Sequence, residues 1–266
     1  GNTAVGFQSL YFFEADTDSH GGNTALGYRS GTYLYTGTSN TFLGWSAGEG
    51  VTGAKTTGDV NTAVGSHAGI LLQGSANANT LVGQGAGATI TTGGANTLIG
   101  QGIIAETATG DSQNGLGHAI TCAVGYTTVG YGFNDIRAAH GNVTWATVSD
   151  ERYKKDITDS EAGLDFINAL RPRTFKYKTL GELPESFRAY EADSTEVFKN
   201  TQTNHGFIAQ EVKTAIDADS NLKDGFRLWD DREDGSQEVG ETALIPMLVK
   251  AIQELTAKVE ALEDAQ

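Results

Sequence analysis

Hydrophobic and polar positions follow two regimes along this chain. In the first, the unit Asn-Thr-apolar-aliphatic-Gly returns at Asn2, Asn23, Asn40, Asn61, Asn79 and Asn96, with successive spacings of 21, 17, 21, 18 and 17 residues. That is the period of one solenoid coil. A looser x-x-Ser/Ala-Gly follows each unit, as in Tyr28-Arg29-Ser30-Gly31 and Trp45-Ser46-Ala47-Gly48. Degenerate copies are expected to continue through Asn114-Gly115-Leu116-Gly117 and Ala123-Val124-Gly125. No helical period runs through this region, and Gly with Thr at such density opposes helix. The pattern predicts short strands joined by tight turns, with Gly taking positive φ where each coil bends.

Alternation within the strands sharpens the expectation. One face presents Val5, Leu26, Leu43, Val64, Val82 and Ile99; the other presents Ala4, Ala25, Phe42, Ala63, Leu81 and Leu98. Side chains alternate faces on a strand, so both faces ask for burial. A thin coil has only one inside, so the second face calls for another chain or a second layer of this one, and another chain is the better reading. The repeat Asn residues suit bonds to neighbouring backbone and a ladder stacked from coil to coil. This repeat resembles the left-handed β-roll heads of trimeric autotransporter adhesins and the repeats of bacteriophage tail fibres, over about the first 120 residues. The resemblance implies a trimeric fibre.

The second regime ends in a heptad. Ile245, Leu248, Ile252, Leu255, Val259 and Leu262 keep a 3-4-3-4-3 spacing, which predicts a coiled-coil helix over residues 242–263. Ile or Val at a with Leu at d leans by itself toward a dimer, whereas the fibre repeat argues for a homotrimer.

Composition changes at the same border. Of the 35 glycines, 29 lie in residues 1–148; charge moves the other way, from 3 Lys+Arg against 8 Asp+Glu there to 15 against 25 in residues 149–266. The net charge of −15 argues against nucleic acid or an anionic membrane as partner. No apolar run reaches membrane-spanning length, so membrane insertion is not expected. Cys122 is the single cysteine, which excludes an intrachain disulfide or a thiolate metal site. The start at Gly1, inside a repeat, predicts a piece of something longer.

At the border itself, Ser149-Asp150-Glu151-Arg152-Tyr153-Lys154-Lys155-Asp156-Ile157 is followed by Leu170-Arg171-Pro172-Arg173-Thr174-Phe175 and by His205-Gly206-Phe207-Ile208-Ala209-Gln210-Glu211-Val212. In order and spacing these segments resemble the intramolecular chaperone of phage endosialidases and tail spikes, the S74 peptidase family. That resemblance implies a trimerising C-terminal domain that assists assembly and is then released at Val148–Ser149. It places the catalytic pair at Ser149 and Lys154, with Asp150, Arg152, His205 and Gln210 in support. The chemistry is sound on its own terms. A serine hydroxyl becomes a nucleophile when a base takes its proton, and lysine serves once burial or nearby cations lower its pKa. Lys155 lies too near Lys154 to be excluded by sequence. Read without the resemblance, Ser149 caps a turn and Lys154 is a solvated charge, as the spacing is common by chance.

Other chemistry is weaker. Asp230, Asp234, Gly235 and Glu241 fall on a calcium-loop template, but Arg232 occupies the third position, where an oxygen is required. A hairpin turn at Asp234-Gly235 is the better reading. His20, His67, His118, His140 and His205 show no metal-ligand spacing, so no metal or cofactor is expected. Glu14, Asp16 and Asp18 could serve a glycosidase only at a separation that sequence does not give. Tyr28, Tyr33, Tyr35 and Trp45 suit either a receptor or glycan surface or packing between coils.

The expected architecture is therefore a mainly β repeat, a β-roll or solenoid fibre, over residues 1–130 and a connecting segment over 131–148. An α+β chaperone domain with a C-terminal coiled-coil helix follows over 149–266. The expected role is a virion tail fibre or spike for host attachment. The alternative is a trimeric surface adhesin that never cleaves.

Overall fold

The computed structural model describes residues 1–14, 21–220, 222 and 227–265. Asp16, Asp18 and His20 lie outside the described residues. The chain forms two compact units, Gly1–Tyr153 and Lys154–Gln266.

The first unit is a β-solenoid of about seven turns. Each repeat Asn is followed at once by a three-residue strand: β1 (Thr3–Val5), β2 (Thr24–Leu26), β3 (Thr41–Leu43), β4 (Thr62–Val64), β5 (Thr80–Val82) and β6 (Thr97–Ile99). The strands pair in parallel and in register, Thr beside Thr and aliphatic beside aliphatic. Two short strands, β7 (Ile104–Ala105) and β9 (Thr121–Cys122), pair on a separate wall. The main sheet continues from β6 through β8 (Gln113–His118) and β10 (Tyr126–Tyr131) to β11 (Asn134–Ala139), nine strands among the described residues.

The asparagines hold the coils in register. The backbone N–H and the Nδ2 of Asn23, Asn40, Asn61, Asn79 and Asn96 each donate to the Oδ1 of the Asn one coil earlier, at 2.8–3.2 Å. Nδ2 also donates to a main-chain carbonyl, that of Gly37, Gly58, Ala76, Gly93 and Gly110 in turn, at 2.8–3.1 Å. All five side chains are buried, and these bonds replace the water they have lost. Gln113 takes the next place, its backbone N–H donating to Asn96 Oδ1 at 2.8 Å.

Behind the strands, Ala25, Phe42, Ala63, Leu81 and Leu98 are fully buried and fill the coil interior. Ala4 belongs to the same column but is exposed on the outermost rung. Phe42 fits because its neighbours lack side chains: a Cβ on Gly48 would lie 2.3 Å from its ring. The glycine ending each strand is forced for two reasons. At Gly65 φ is +126°, and a Cβ would meet the Gly83 carbonyl oxygen at 2.6 Å.

The expected repeat at Ala123-Val124-Gly125 is corrected. Those residues form the turn into β10, with Gly125 at φ +75° and the Tyr126 N–H donating to the Ala123 carbonyl. The rung is Val129-Gly130, which pairs with Leu116-Gly117. From there β11 returns antiparallel to β10.

The second unit is a small α+β region. Its elements are α1 (Leu164–Ala169), β12 (Arg173–Phe175), β13 (Asn204–Gly206), α2 (Ala209–Ala218), β14 (Trp229–Asp231), β15 (Gln237–Val239) and α3 (Ile245–Glu263). Ala162, Phe166, Val212, Ala215, Ile216, Leu222, Leu228 and Leu244 form its core. β14 and β15 are the hairpin expected around Asp234-Gly235, with Gly235 at φ +80°. Asp234 Oδ1 accepts the Ser236 N–H and hydroxyl, and Oδ2 accepts the Arg188 N–H. These bonds hold the carboxyl down at about 2.

Candidate functional site: two apolar faces and the segment around Ser149

The outward aliphatics of the main sheet line up in one column. Backbone register places Val5, Leu26, Leu43, Val64, Val82, Ile99, Leu116, Val129 and Ile136 side by side, one on each of nine strands. At the usual strand spacing this stripe is roughly 38 Å long. Six of its members keep between 38% and 55% of their surface, while Val64, Val82 and Val129 are half-buried. An ordered apolar stripe of this extent marks an interaction surface rather than scattered surface apolars.

Next to it, residues just after the strand-ending glycines form a second, largely exposed column. Phe7 stacks on Tyr28 with centroids 5.5 Å apart, Trp45 meets the His67 ring edge-on at 4.6 Å, and Gln101 donates to Gln84 Oε1 at 2.9 Å. Elsewhere Phe12 stacks on Tyr33 at 5.1 Å, and the Lys55 ammonium sits 3.3 Å from the Tyr35 ring centre. Tyr28, Tyr33, Tyr35 and Trp45 therefore do pack between coils, while Tyr28 and Trp45 stay exposed. Cys122 is buried against Gly115, and burial raises its thiol to about 11.

The second apolar face is on α3. Leu244, just before the helix, and Met247 belong to the core of their own unit, Ala251 is buried, and Glu254 accepts the Leu164 N–H at 2.8 Å. A Cβ on Gly163 would lie 2.6 Å from that carboxylate, so any larger residue there would have to displace the Glu254 side chain. The heptad positions Ile245, Leu248, Ile252, Leu255, Val259 and Leu262 are left with 42% to 67% of their surface exposed. The helix thus uses one narrow face on its own unit and presents the heptad seam outward.

Around Ser149 the chain leaves β11 by a turn and comes back along it. Gly141 takes φ +82°, the Asn142 N–H donates to the Ala139 carbonyl, and Asn142 Oδ1 accepts the Thr144 N–H and hydroxyl. Arg137 and Ala146 then exchange both backbone hydrogen bonds at 2.8 Å. The Thr147 hydroxyl donates to the Asp135 carbonyl at 3.1 Å. Val148 and Ser149 follow directly, both exposed.

Among the expected supporting residues, Asp150 and Arg152 meet. Arg152 donates from Nε to Oδ1 at 2.9 Å and from Nη2 to Oδ2 at 2.7 Å, and its backbone N–H also reaches Oδ1. This bidentate pair raises the guanidinium's already high pKa. Ser149 lies in the first unit, and Lys154 opens the second, where it is exposed. His205 and Gln210 are exposed as well, on β13 and on the first turn of α2.

Sequence reading missed the contact that joins the two remaining motifs. β12 pairs with β13, Thr174 opposite His205. Arg173 then grips Glu211 with one edge of its guanidinium, Nε to Oε2 at 2.9 Å and Nη2 to Oε1, and Arg171 lies 3.4 Å from the same carboxylate. The hydrogen bond from Arg173 holds the Glu211 carboxyl below the usual range. Arg-Pro-Arg before a strand and Gln-Glu opening a helix were the available signal, since opposite charges recur in both segments. Among the described residues, no three His, Cys, Asp or Glu side chains come together as a metal site, and no helix is long and apolar enough to cross a membrane.

Residues 149–221 match the model of the S74 peptidase family, described as the chaperone of endosialidase. The match begins at Ser149 and takes in both motifs joined by the Arg173–Glu211 pair. No curated protein and no solved structure matches the chain. With the solenoid before it, the family match fits a tail fibre carrying a C-terminal chaperone domain.

Proposed function

We propose that this chain is the shaft of a homotrimeric phage tail fibre or spike joined to the intramolecular chaperone that assembles it. The nine-rung stripe from Val5 to Ile136 carries the reading. A soluble monomer gains nothing from an ordered apolar column along its length, whereas three copies can bury their columns against one another. A fully buried Val, Leu or Ile contributes about 1.5–3 kcal/mol relative to exposure, and the stripe offers nine partial increments per chain. Strand pairing across chains is slow and exposes apolar edges on the way, so a domain that gathers three chains shortens the search. The α3 seam is suited to that task.

Release follows from Ser149 and Lys154. Lys154 takes the hydroxyl proton, Ser149 Oγ attacks the Val148 carbonyl carbon, and the C–N bond breaks, with the Ser149 nitrogen leaving as a protonated amine. The resulting ester between Val148 and Ser149 is hydrolysed by water to a Val148 carboxylate and a restored serine. Both residues are exposed in the single chain, which favours a site completed by trimer packing, where desolvation makes lysine a competent base. Losing the chaperone after assembly removes the route back, so the fibre persists kinetically. Host attachment by the mature fibre, in the virion, completes the reading.

Denaturing electrophoresis with mass spectrometry of freshly expressed protein tests it. Wild type should yield a fragment beginning at Ser149. Ser149→Ala, Lys154→Ala and Lys154→Arg should each stay intact, the last because arginine keeps its proton. A wild-type trimer that remains one uncut band over days would replace this reading with that of an adhesin whose C-terminal domain only trimerises.

A further inference from the structure

We infer that β11 is the strand that presents the scissile bond, holding the residues before Val148–Ser149 by antiparallel backbone pairing. This inference rests on the autoproteolysis reading and adds the element that positions the reacting carbonyl.

The observations lie in one unit. β11 is the last strand of the nine-stranded sheet, so one of its edges faces no further strand of that sheet. Such an edge accepts an added strand. The added segment is Thr144–Thr147, which ends one residue before the bond. Ala146 makes the reciprocal pair with Arg137, both bonds at 2.8 Å, and the Thr147 hydroxyl anchors to the Asp135 carbonyl at 3.1 Å. The turn that brings the segment back is fixed by Asn142 Oδ1 and by Gly141 at φ +82°. None of the side chains in the segment is buried, so packing does not explain why it lies on the sheet. Backbone bonds do.

An extended backbone bonded through both the N–H and the carbonyl of one residue, with the next side chain anchored as well, narrows the positions open to the peptide two residues further on. Nucleophilic attack requires a near-attack geometry at the Val148 carbonyl, and displacement of a reacting atom by about 1 Å is enough to lower a rate a hundredfold. β11 thus acts as a positioning element for the substrate strand, and Ala146 as its pairing residue. Neither touches the reacting atoms. After the cut the same segment remains on the fibre and covers the β11 edge.

The test is a single-turnover cleavage rate in the full chain. Ala146→Pro removes the N–H that donates to the Arg137 carbonyl, and Ala146→Val keeps it. Ala146→Pro should cleave roughly tenfold or more slowly while remaining trimeric by light scattering, and Ala146→Val should cleave like wild type. Thr147→Val, which loses only the hydroxyl anchor, should fall between them. Equal rates for Ala146→Pro and wild type would overturn the role of β11 and leave autoproteolysis intact. Failure of wild type and Ala146→Val to cleave as trimers would overturn both. Hydrogen exchange in the Ser149→Ala trimer gives a readout that needs neither cleavage nor the proline variant. The Ala146 and Arg137 amides should be protected together, and rapid exchange of both would exclude the pairing.

Discussion

Each repeat asparagine does three things with one side chain: it accepts two bonds from the next coil, donates to the previous one and ties down a carbonyl. Removing one from the middle therefore leaves several buried groups without partners. In Asn61→Ala, the Asn79 N–H and Nδ2 lose their acceptor, while the Ala76 carbonyl and Asn40 Oδ1 lose a donor. Each buried orphan costs about 1–3 kcal/mol, so the variant should lose roughly 3 kcal/mol or more. Gln84→Ala, which removes only the exposed bond that Gln84 Oε1 accepts from Gln101, should lose about 1 kcal/mol or less. Denaturant titration of the two variants checks the contrast; equal losses would mean that the ladder is not what holds the coils.

At the scale of elements, the two faces of α3 make separable predictions. Ile252 and Leu255 are exposed, whereas Met247 packs against the core of the unit and Ala251 is buried. Ile252→Asp with Leu255→Asp should abolish the trimer and leave the α+β unit folded, read as monomer mass with helical circular dichroism retained. Cleavage should slow in the same variant if trimer packing completes the site. What could be read from sequence follows the same division. The strands β1 to β6 and the seam were legible because their signal is periodic and local. β10 and β11 were not, because the register there is carried by Val129-Gly130 and a hairpin after the Asn-Thr signature has gone. Gln113 in the ladder, the Glu254 contact at Gly163 and the Arg173–Glu211 pair escaped for another reason. Each depends on a partner between 17 and 91 residues away, which no local pattern encodes. Ser149 and Lys154 stood out only through resemblance, since two residues at that spacing carry little information by themselves.

For the whole molecule, the ladder has a consequence for size. The coils from Asn2 to Asn96 each begin again at an asparagine, and the corners preceding Asn79 and Asn96 are equivalent: Ala78 has φ +51° and Ala95 φ +53°. The solenoid is therefore a stack of interchangeable units, and its length is quantised. Excising residues 79–95 joins Ala78 to Asn96, seats Asn96 on Asn61, and sets Ile99 beside Val64 without altering any other rung. The proposed trimer should fold and shorten by about 4.8 Å, one strand spacing, as measured by small-angle scattering. An excision of eight residues from the same place would leave no asparagine in phase and should abolish soluble trimer. A fibre built this way can change its reach by gaining or losing whole coils, with the surfaces at either end left as they were.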